Sequence, residues 1–142
     1  QVVLGNYPVI YDPEDSIWEI AIGAQKVLFR PSILWSGVAY MNGNQTIYPS
    51  KKIRDCARGW VLVWSDYDPG VGANNYDIVY SLIPKEHANT FNGSGVHCIV
   101  STGVNGTIAT KYVYTYNDKI VGHDANQNAP LNDVCLRYVL EW

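Results

Sequence analysis

Short segments in which apolar and polar residues alternate recur along this chain, separated by Gly, Asn, Asp and Pro, and they constrain its fold more than any other feature. Alternation with a period of two is typical of half-buried β-strands, and the separating residues are typical of turns. The pattern predicts strands over residues 17–22, 27–30, 33–41, 45–48, 59–67, 76–83, 95–102, 107–116, 119–122 and 134–141. With one helical turn predicted at residues 84–89, we expect an all-β fold: an antiparallel β-sandwich or jelly roll with at most one short helix.

Residues 59–67 (GWVLVWSDY) form the strongest predicted strand. They are apolar on both faces, which favours a position in the centre of a sheet. Trp60, Leu62 and Trp64 are expected to share one face, because side chains alternate along a strand. The stretch 66–75 (DYDPGVGANN) contains Pro, Gly and Asn and is predicted to be a loop without regular structure.

Turn and boundary signals divide the rest of the chain. Asn105-Gly106 lies between two predicted strands and predicts a hairpin with a type I′ turn, whose central residues both need positive φ. The chain length fits one principal domain. We expect residues 33–142 to form the β-sandwich, and residues 1–32, before the Arg30-Pro31 boundary, to form an N-terminal shoulder or neck.

The charge balance excludes some classes of partner. The chain contains ten Lys and Arg residues and 13 Asp and Glu residues. Lys51, Lys52 and Arg54 form the only basic cluster in the sequence. Without a basic stripe, neither nucleic acid nor an anionic membrane surface is an expected partner. No apolar run approaches the roughly 18 residues of a membrane-spanning helix, so membrane insertion is not expected.

The cysteine pattern is that of a cytosolic protein. Cys56, Cys98 and Cys135 are odd in number and lack C-x-x-C spacing, which argues against a disulfide framework and against a zinc site. We expect three small buried hydrophobic residues in a protein made in a reducing compartment. One disulfide with one free thiol is the alternative. No metal or other cofactor is predicted.

Catalytic patterns are weak. No Ser lies in a G-x-S-x-G motif, and the three histidines are not spaced as metal ligands. Asp66 with Asp68, or Glu14 with Asp15, could supply the two carboxylates of a glycoside hydrolase. The sequence after Asp66 also departs from a calcium-binding EF-hand loop, because Val71 stands where Gly is needed.

The stronger pattern is one for ligand binding. Tyr and Trp are common and Phe is rare, and rings with a polar group suit surfaces that are both apolar and wet. Aromatic rings can cover the C–H faces of a sugar while Asp, Asn and His bind its hydroxyls. The first predicted loop and its strand ends supply Trp64, Asp66, Tyr67, Asp68, Asn74, Asn75 and Tyr76. The loop of residues 122–128 supplies His123, Asp124 and Asn126, and His87 is a further candidate.

An alternative interpretation is purely structural. Trp64 could belong to the core, while the Asp and Asn residues only shape the turn. His97 lies in a predicted strand and is expected to be structural rather than a ligand contact.

Several segments resemble one family: GWVLVWSDYDPG, NNYDIVYSLIPKEHA, GVHCIVSTG and KYVYTYNDKIVGHDAN…DVCLRYVLEW, together with Trp35-Ser36-Gly37 and Asn44-Gln45-Thr46. From about residue 34 to the last residue, the chain is similar to the C-terminal head domains of tail receptor-binding proteins from bacteriophages of Gram-positive bacteria, such as streptococcal phages. The resemblance implies a β-sandwich head in the virion, at the tail tip or baseplate beside other tail proteins, assembled in the host cytoplasm.

The resemblance also implies a homotrimer that binds a host cell-wall or surface polysaccharide without cleaving it. Two other functions are left open by the sequence. One is a tail-associated glycan hydrolase that uses Asp66 and Asp68, and the other is a structural baseplate module without a ligand.

Overall fold

The computed structural model describes residues 2–4, 7–12, 17–22, 25–29 and 33–142, with side chains from residue 33 onward. The chain divides into two compact units, Gln1–Ser32 and Ile33–Trp142. The fold predicted from the alternating pattern is confirmed: the described residues form antiparallel β-sheets with little helix.

The first unit contains one sheet of four antiparallel strands in sequential order. These are β1 (Val2–Leu4), β2 (Tyr7–Asp12), β3 (Ile17–Ile22) and β4 (Gln25–Phe29). Gly23-Ala24, between the predicted strands 17–22 and 27–30, is typical of a turn that would pair these strands. The pairing is confirmed, with Trp18 opposite Phe29. Gly23-Ala24 and the carboxylates of Glu14 and Asp15 lie outside the described residues.

The second unit contains two sheets. The tryptophan sheet consists of β5 (Ile33–Ala39), β7 (Gly59–Asp68), β8 (Gly72–Ala73), β9 (Val79–Pro84) and β13 (Val134–Glu141). The tyrosine sheet consists of β6 (Thr46–Ile47), β10 (Ser94–Ser101), β11 (Ile108–Thr115) and β12 (Ile120–Val121), in the order β10-β11-β12-β6. Every strand pair in both sheets is antiparallel.

Short helical turns connect the strands. The α-helix in the described part of the chain is α1 (His87–Thr90), and 3-10 turns occur at Ile53–Asp55, Asp124–Gln127 and Leu131–Asp133. The helical turn therefore begins later than the predicted residues 84–89. Pro84 instead ends β9, where it pairs with Gly59.

The hydrophobic core lies between the two sheets of the second unit. Trp60, Leu62 and Trp64 of β7 are fully buried, and Val113 of β11 and Ile120 of β12 belong to the same cluster. Strand β7 is central as predicted, because β13 pairs with one edge and β8 and β9 pair with the other. The three apolar residues of alternate positions in β7 thus anchor the sandwich.

The end of β5 and the turn between β10 and β11 differ from prediction because of backbone conformation. Met41 has a φ of +62°, so β5 ends at Ala39 rather than continuing to residue 41. The hairpin between β10 and β11 forms as predicted, but its turn is not type I′. Asn105 alone of the Asn-Gly pair has positive φ (+61°), and the Gly106 amide donates to the Gly103 carbonyl at 2.9 Å.

The three cysteines, Cys56, Cys98 and Cys135, are free and buried, as predicted. Burial is the main cause that raises the pKa of each thiol, to about 11 for Cys98. Buried protonated thiols act as small hydrophobic side chains and are poor nucleophiles.

Candidate functional site

The hairpin of residues 66–75 carries five of the eleven predicted ligand contacts, and it is more regular than predicted. Strand β7 continues to Asp68 and pairs with β8, so that Asp68 lies opposite Gly72. The Val71 amide donates to the Asp68 carbonyl at 2.9 Å, and Gly70 has a φ of +79°. Glycine adopts positive φ without a steric penalty, which allows a tight reversal in place of the expected irregular loop.

Asp66 and Asp68 are positioned by one side-chain amide. The Asn74 Nδ2 donates to the Oδ2 atoms of both carboxylates, each at 2.8 Å. Partial desolvation, followed by the negative charges of Asp66 and Asp68, raises the pKa of the nearby Tyr76 hydroxyl. These four predicted residues therefore form one polar cluster, which presents carboxylate oxygens as hydrogen-bond acceptors at the hairpin.

Trp64 does not belong to the site. Its side chain is fully buried, and its Nε1 donates to Ser81 Oγ at 3.1 Å. A ring with no exposed surface cannot stack on a ligand, so the prediction that Trp64 contacts a saccharide is wrong. The alternative interpretation from the sequence, that Trp64 is core, describes its position.

Tyr67 points to the opposite side of the hairpin from Asp66 and Asp68, because side chains alternate along a strand. There it lines a cavity of about 210 Å³, which we call the hairpin pocket. The pocket is lined by Tyr40, Tyr67, Pro69, Gly70, Gln127 and Asn132. The centroids of the Tyr40 and Tyr67 rings are 5.8 Å apart, and the ring planes are inclined by 31°.

The hairpin pocket combines the groups that a sugar requires. Two tyrosine rings offer apolar faces, and the Gln127 and Asn132 amides each offer donors and an acceptor for hydroxyls. Its volume is below the roughly 300 Å³ of a drug-sized site, so it suits a small unit such as one sugar ring. Tyr40 comes from the end of β5, Tyr67 from the hairpin and Gln127 from the 3-10 turn at Asp124–Gln127. Both loops predicted from the sequence therefore contribute to one pocket.

His123 and Asp124 attach the second loop to the body of the sandwich. The His123 amide donates to the Met41 carbonyl at 3.0 Å, and its Nδ1 accepts from the Ala125 amide at 3.0 Å. Asp124 Oδ1 accepts from the Gly43 amide at 3.1 Å. Asp124 is exposed and His123 is half-buried, so both retain surface that a ligand can reach.

Asn126 is a structural residue rather than a ligand contact. It is fully buried, and its Nδ2 donates to the carbonyls of Met41 and Tyr112 at 2.7 and 2.8 Å. Its Oδ1 accepts from the Tyr112 amide at 3.0 Å. The Asn126 side chain thus satisfies the backbone amide and carbonyl of Tyr112, as a neighbouring strand would do at this edge of β11, and also bonds the Met41 carbonyl. The prediction that Asn126 binds saccharide is therefore wrong.

His87 lies at the other end of the tryptophan sheet. It belongs to α1, which follows the end of β9 that pairs with Gly59, whereas the hairpin extends from the opposite end of β7. Ten residues of strand at about 3.3 Å each separate the two ends by roughly 30 Å. The His87 ring packs near Phe91, with centroids 6.0 Å apart. The structure does not bring His87 together with the other candidates.

Asn75 lines a different and larger cavity of about 470 Å³, which we call the aliphatic groove. The groove lies on the outer face of the tryptophan sheet and is lined by Ile33, Val63, Asn75, Ile78, Tyr80, Arg137, Tyr138 and Leu140. Ile33 and Tyr80 are 57% and 64% exposed. The Arg137 guanidinium is fixed at one side, where Nη1 donates to Ser65 Oγ at 3.0 Å and to the Asn74 carbonyl at 3.2 Å.

A buried lysine forms hydrogen bonds with the backbone at two sides of the hairpin pocket. Lys111 of β11 is fully buried, and its Nζ donates to the Tyr40 carbonyl at 2.8 Å and to the Asn126 carbonyl at 3.4 Å. Burial lowers the pKa of this amine to about 7. Lys111 thus connects the backbone of one pocket residue, Tyr40, to the residue that precedes Gln127.

No protein-family model, curated protein or solved structure matches this chain. Across the described residues, no three or more His, Cys, Asp and Glu side chains are grouped so that they could hold a metal ion. The helices of the described segments are too short or too polar to span a membrane.

Tyr40, Gln127 and Asn132 were not among the residues predicted from the sequence. Tyr40 falls near the end of the predicted strand 33–41, and the alternating pattern does not show that its ring lies beside that of Tyr67. Gln127 and Asn132 lie in a segment rich in amides, but only the fold shows which of these amides face Tyr67.

Proposed function

We propose that this chain is the receptor-binding head of a bacteriophage tail, which binds a polysaccharide on the surface of a Gram-positive host without cleaving it. The observation that carries the proposal is the hairpin pocket, where Tyr40 and Tyr67 face amide side chains. The resemblance of residues 34–142 to tail receptor-binding heads supplies the biological setting: the tail tip of a virion, beside other tail proteins.

The chemistry of the pocket supports a neutral or weakly charged sugar unit. Tyrosine rings cover the C–H face of a pyranose, while Gln127 and Asn132 bond its hydroxyls. On the reverse side of the hairpin, the carboxylates of Asp66 and Asp68 can accept hydrogen bonds from hydroxyls of an adjoining unit.

The arrangement of Asp66 and Asp68 favours binding over hydrolysis. A retaining or inverting glycosidase holds the scissile bond between its two carboxyl groups. Here the Asn74 Nδ2 lies between the two carboxylates and donates to both, each at 2.8 Å, so a side chain of the protein occupies the place that the scissile bond would need.

A homotrimer is part of the proposal, and the aliphatic groove supports it. Ile33, Ile78, Tyr80 and Leu82 are all more than 40% exposed on one face of the tryptophan sheet. Contiguous exposed apolar surface is typical of protein interfaces. Three linked copies would multiply the avidity of a weak sugar site through effective concentration.

The function is tested by staining streptococcal cells with a fluorescent fusion of the chain. Tyr67→Ala should reduce the staining about tenfold or more, since it removes one ring from the pocket. Phe91→Ala removes an exposed ring beside α1, at the far end of the sheet, and should leave the staining unchanged. Equal staining by the Tyr67 variant and the unchanged chain would contradict the assignment of the pocket.

The same protein tests catalysis and assembly. Purified cell-wall polysaccharide should keep its chain length after incubation with the chain, whereas a hydrolase would shorten it. Sedimentation should give a trimer, and Tyr80→Asp should shift it toward monomer because a charge would enter the aliphatic groove. A monomer in both cases would contradict the trimer.

A further inference from the structure

A cluster of four aromatic rings lies on the outer face of the tyrosine sheet, apart from the hairpin pocket. We call it the ring cluster: His97, Tyr112, Tyr114 and His123. Tyr112 is in the centre, with its ring centroid 4.8 Å from that of His97 and 5.4 Å from those of Tyr114 and His123. His97, which the sequence predicts to be structural, is exposed, and the other three are half-buried. The cluster therefore presents ring surface to solvent.

Glycines in the neighbouring strand make room for these tyrosines. A Cβ atom at Gly95 would overlap the Tyr112 hydroxyl oxygen, and one at Gly93 would lie 2.7 Å from the Tyr116 ring. The rings of Tyr112 and Tyr116 therefore extend across β10 and its approach, over positions that have no side chain. The sequence carries this arrangement as Gly-x-Gly-x-His at residues 93–97 and Tyr-x-Tyr-x-Tyr at residues 112–116.

The edges of the cluster are polar. His97 Nδ1 lies 3.3 Å from Thr110 Oγ1, and the Lys119 ammonium lies 4.8 Å from the centroid of the Tyr116 ring. His123 accepts a hydrogen bond at Nδ1, so a neutral ring carries its proton on Nε2 and can donate there. The outer face of the tryptophan sheet differs, because aliphatic side chains such as Ile33 and Leu82 dominate it. Rings bordered by donors and acceptors match a saccharide better than an aliphatic protein surface does.

The ring cluster and the hairpin pocket are connected through the loop of residues 122–128. The Asn126 side chain makes two hydrogen bonds with the Tyr112 backbone, and the next residue, Gln127, lines the pocket. The amide of His123, a member of the cluster, donates to the Met41 carbonyl, beside Tyr40 of the pocket. The same loop therefore positions residues of both places.

We propose that the ring cluster is a second saccharide-contact surface, so that the chain binds a run of several sugar units rather than a single terminal unit. The hairpin pocket holds one unit, and the ring cluster stacks on later units of the same polymer. This inference rests on the proposed function and adds the class of ligand: an extended polysaccharide chain.

The test compares two probes on the same protein by calorimetry. The first is purified cell-wall polysaccharide from a streptococcal strain that the fusion stains, and the second is a fragment of one or two units made from it. Tyr112→Ala should weaken the binding of the polysaccharide about five- to tenfold and leave the binding of the fragment unchanged. Tyr67→Ala should weaken the binding of both. Tyr112→Phe keeps the ring and should bind the polysaccharide nearly as the unchanged chain does.

Matched variants separate the possible outcomes. Ile99→Ser lies on the same strand face two residues from His97 and should have no effect. A loss of polysaccharide binding as large as that of Tyr112→Ala would show that the effect is not specific to the aromatic rings, and would contradict the ring cluster as the contact surface. If Tyr112→Ala lowers the melting temperature, the binding of polysaccharide by His97→Ala and Tyr114→Ala is used for the comparison instead. Unchanged polysaccharide binding by the ring variants, with Tyr67→Ala still defective, would overturn this inference alone. No binding of polysaccharide by the unchanged chain would overturn the proposed function with it.

Discussion

The two tryptophans of β7 and the tyrosines of the second unit lie in different environments. Trp60 and Trp64 are fully buried, and each indole N–H has a partner: Trp60 Nε1 donates to the Lys51 carbonyl and Trp64 Nε1 to Ser81 Oγ, both at 3.1 Å. Every tyrosine between residues 33 and 142 is instead at least partly exposed. One donor is easily satisfied inside a core, whereas a hydroxyl that also accepts hydrogen bonds is better satisfied at the surface. Trp60 and Trp64 thus belong to the interior, whereas the tyrosines, together with the half-buried Trp35 and Trp142, contribute to the surface that a ligand can reach.

The largest expected difference between the two regions is in stability. Trp64→Ala should lower the free energy of unfolding by about 3–5 kcal/mol, because it leaves a cavity in the core. Tyr67→Ala should lower it by less than about 1 kcal/mol, because its ring lines an open pocket. Urea unfolding measures both values. If the two variants lost comparable free energies of unfolding, the assignment of Trp64 to the interior and of Tyr67 to the surface would be contradicted.

The assignment of Asn126 to the interior can be tested in the same way. Asn126→Ala leaves the Tyr112 amide and carbonyl unpaired and removes one of the two hydrogen bonds to the Met41 carbonyl, and should cost about 2–4 kcal/mol. The exposed neighbour Asn128 is the control, and Asn128→Ala should change stability by no more than about 0.5 kcal/mol. If Asn126→Ala were as stable as the control, the loop would not depend on this side chain.

Because of Lys111, the free energy of unfolding should depend on pH. Its pKa falls from the ordinary lysine value of 10.5 to about 7 in the folded chain, so between these values the unfolded state binds more protons. Stability should therefore rise as the pH increases from 7 to 9, by up to about 1.4 kcal/mol per pH unit. Above pH 9 the raised pKa values of the buried thiols act in the opposite direction.

Lys111→Met keeps the volume of this side chain and removes its charge. The variant should show a flatter dependence of unfolding free energy on pH between 7 and 9, measured by urea unfolding at each pH. An equal slope in the variant and the unchanged chain would mean that Lys111 is charged in the fold throughout this range.

Much of the fold could be predicted from the sequence, because it depends on local alternation. The strand at residues 59–67 is apolar on both faces, and this pattern correctly predicted a central strand with Trp60, Leu62 and Trp64 on one side. The same pattern could not show how far β7 would continue. Its extension to Asp68 depends on pairing with Gly72–Ala73, a contact that composition rich in Gly and Asn does not specify.

The candidate site was less predictable than the fold. The two loops that contribute to the hairpin pocket were identified, but Trp64 and Asn126 within them are buried, and sequence position does not distinguish a buried amide from an exposed one. The ring cluster was missed, although alternating tyrosines after alternating glycines give a usable signal. It becomes visible only when the strand register places His97 opposite Tyr112 and Gly95 opposite Tyr114.

The most direct test of the account is a crystal structure of the chain with an oligosaccharide from the cell wall of a stained streptococcal strain. We predict an intact sugar unit between the rings of Tyr40 and Tyr67, with hydroxyls bonded to Gln127 or Asn132. A sugar bound away from the hairpin pocket, or a ligand found cut beside Asp66 and Asp68, would contradict it.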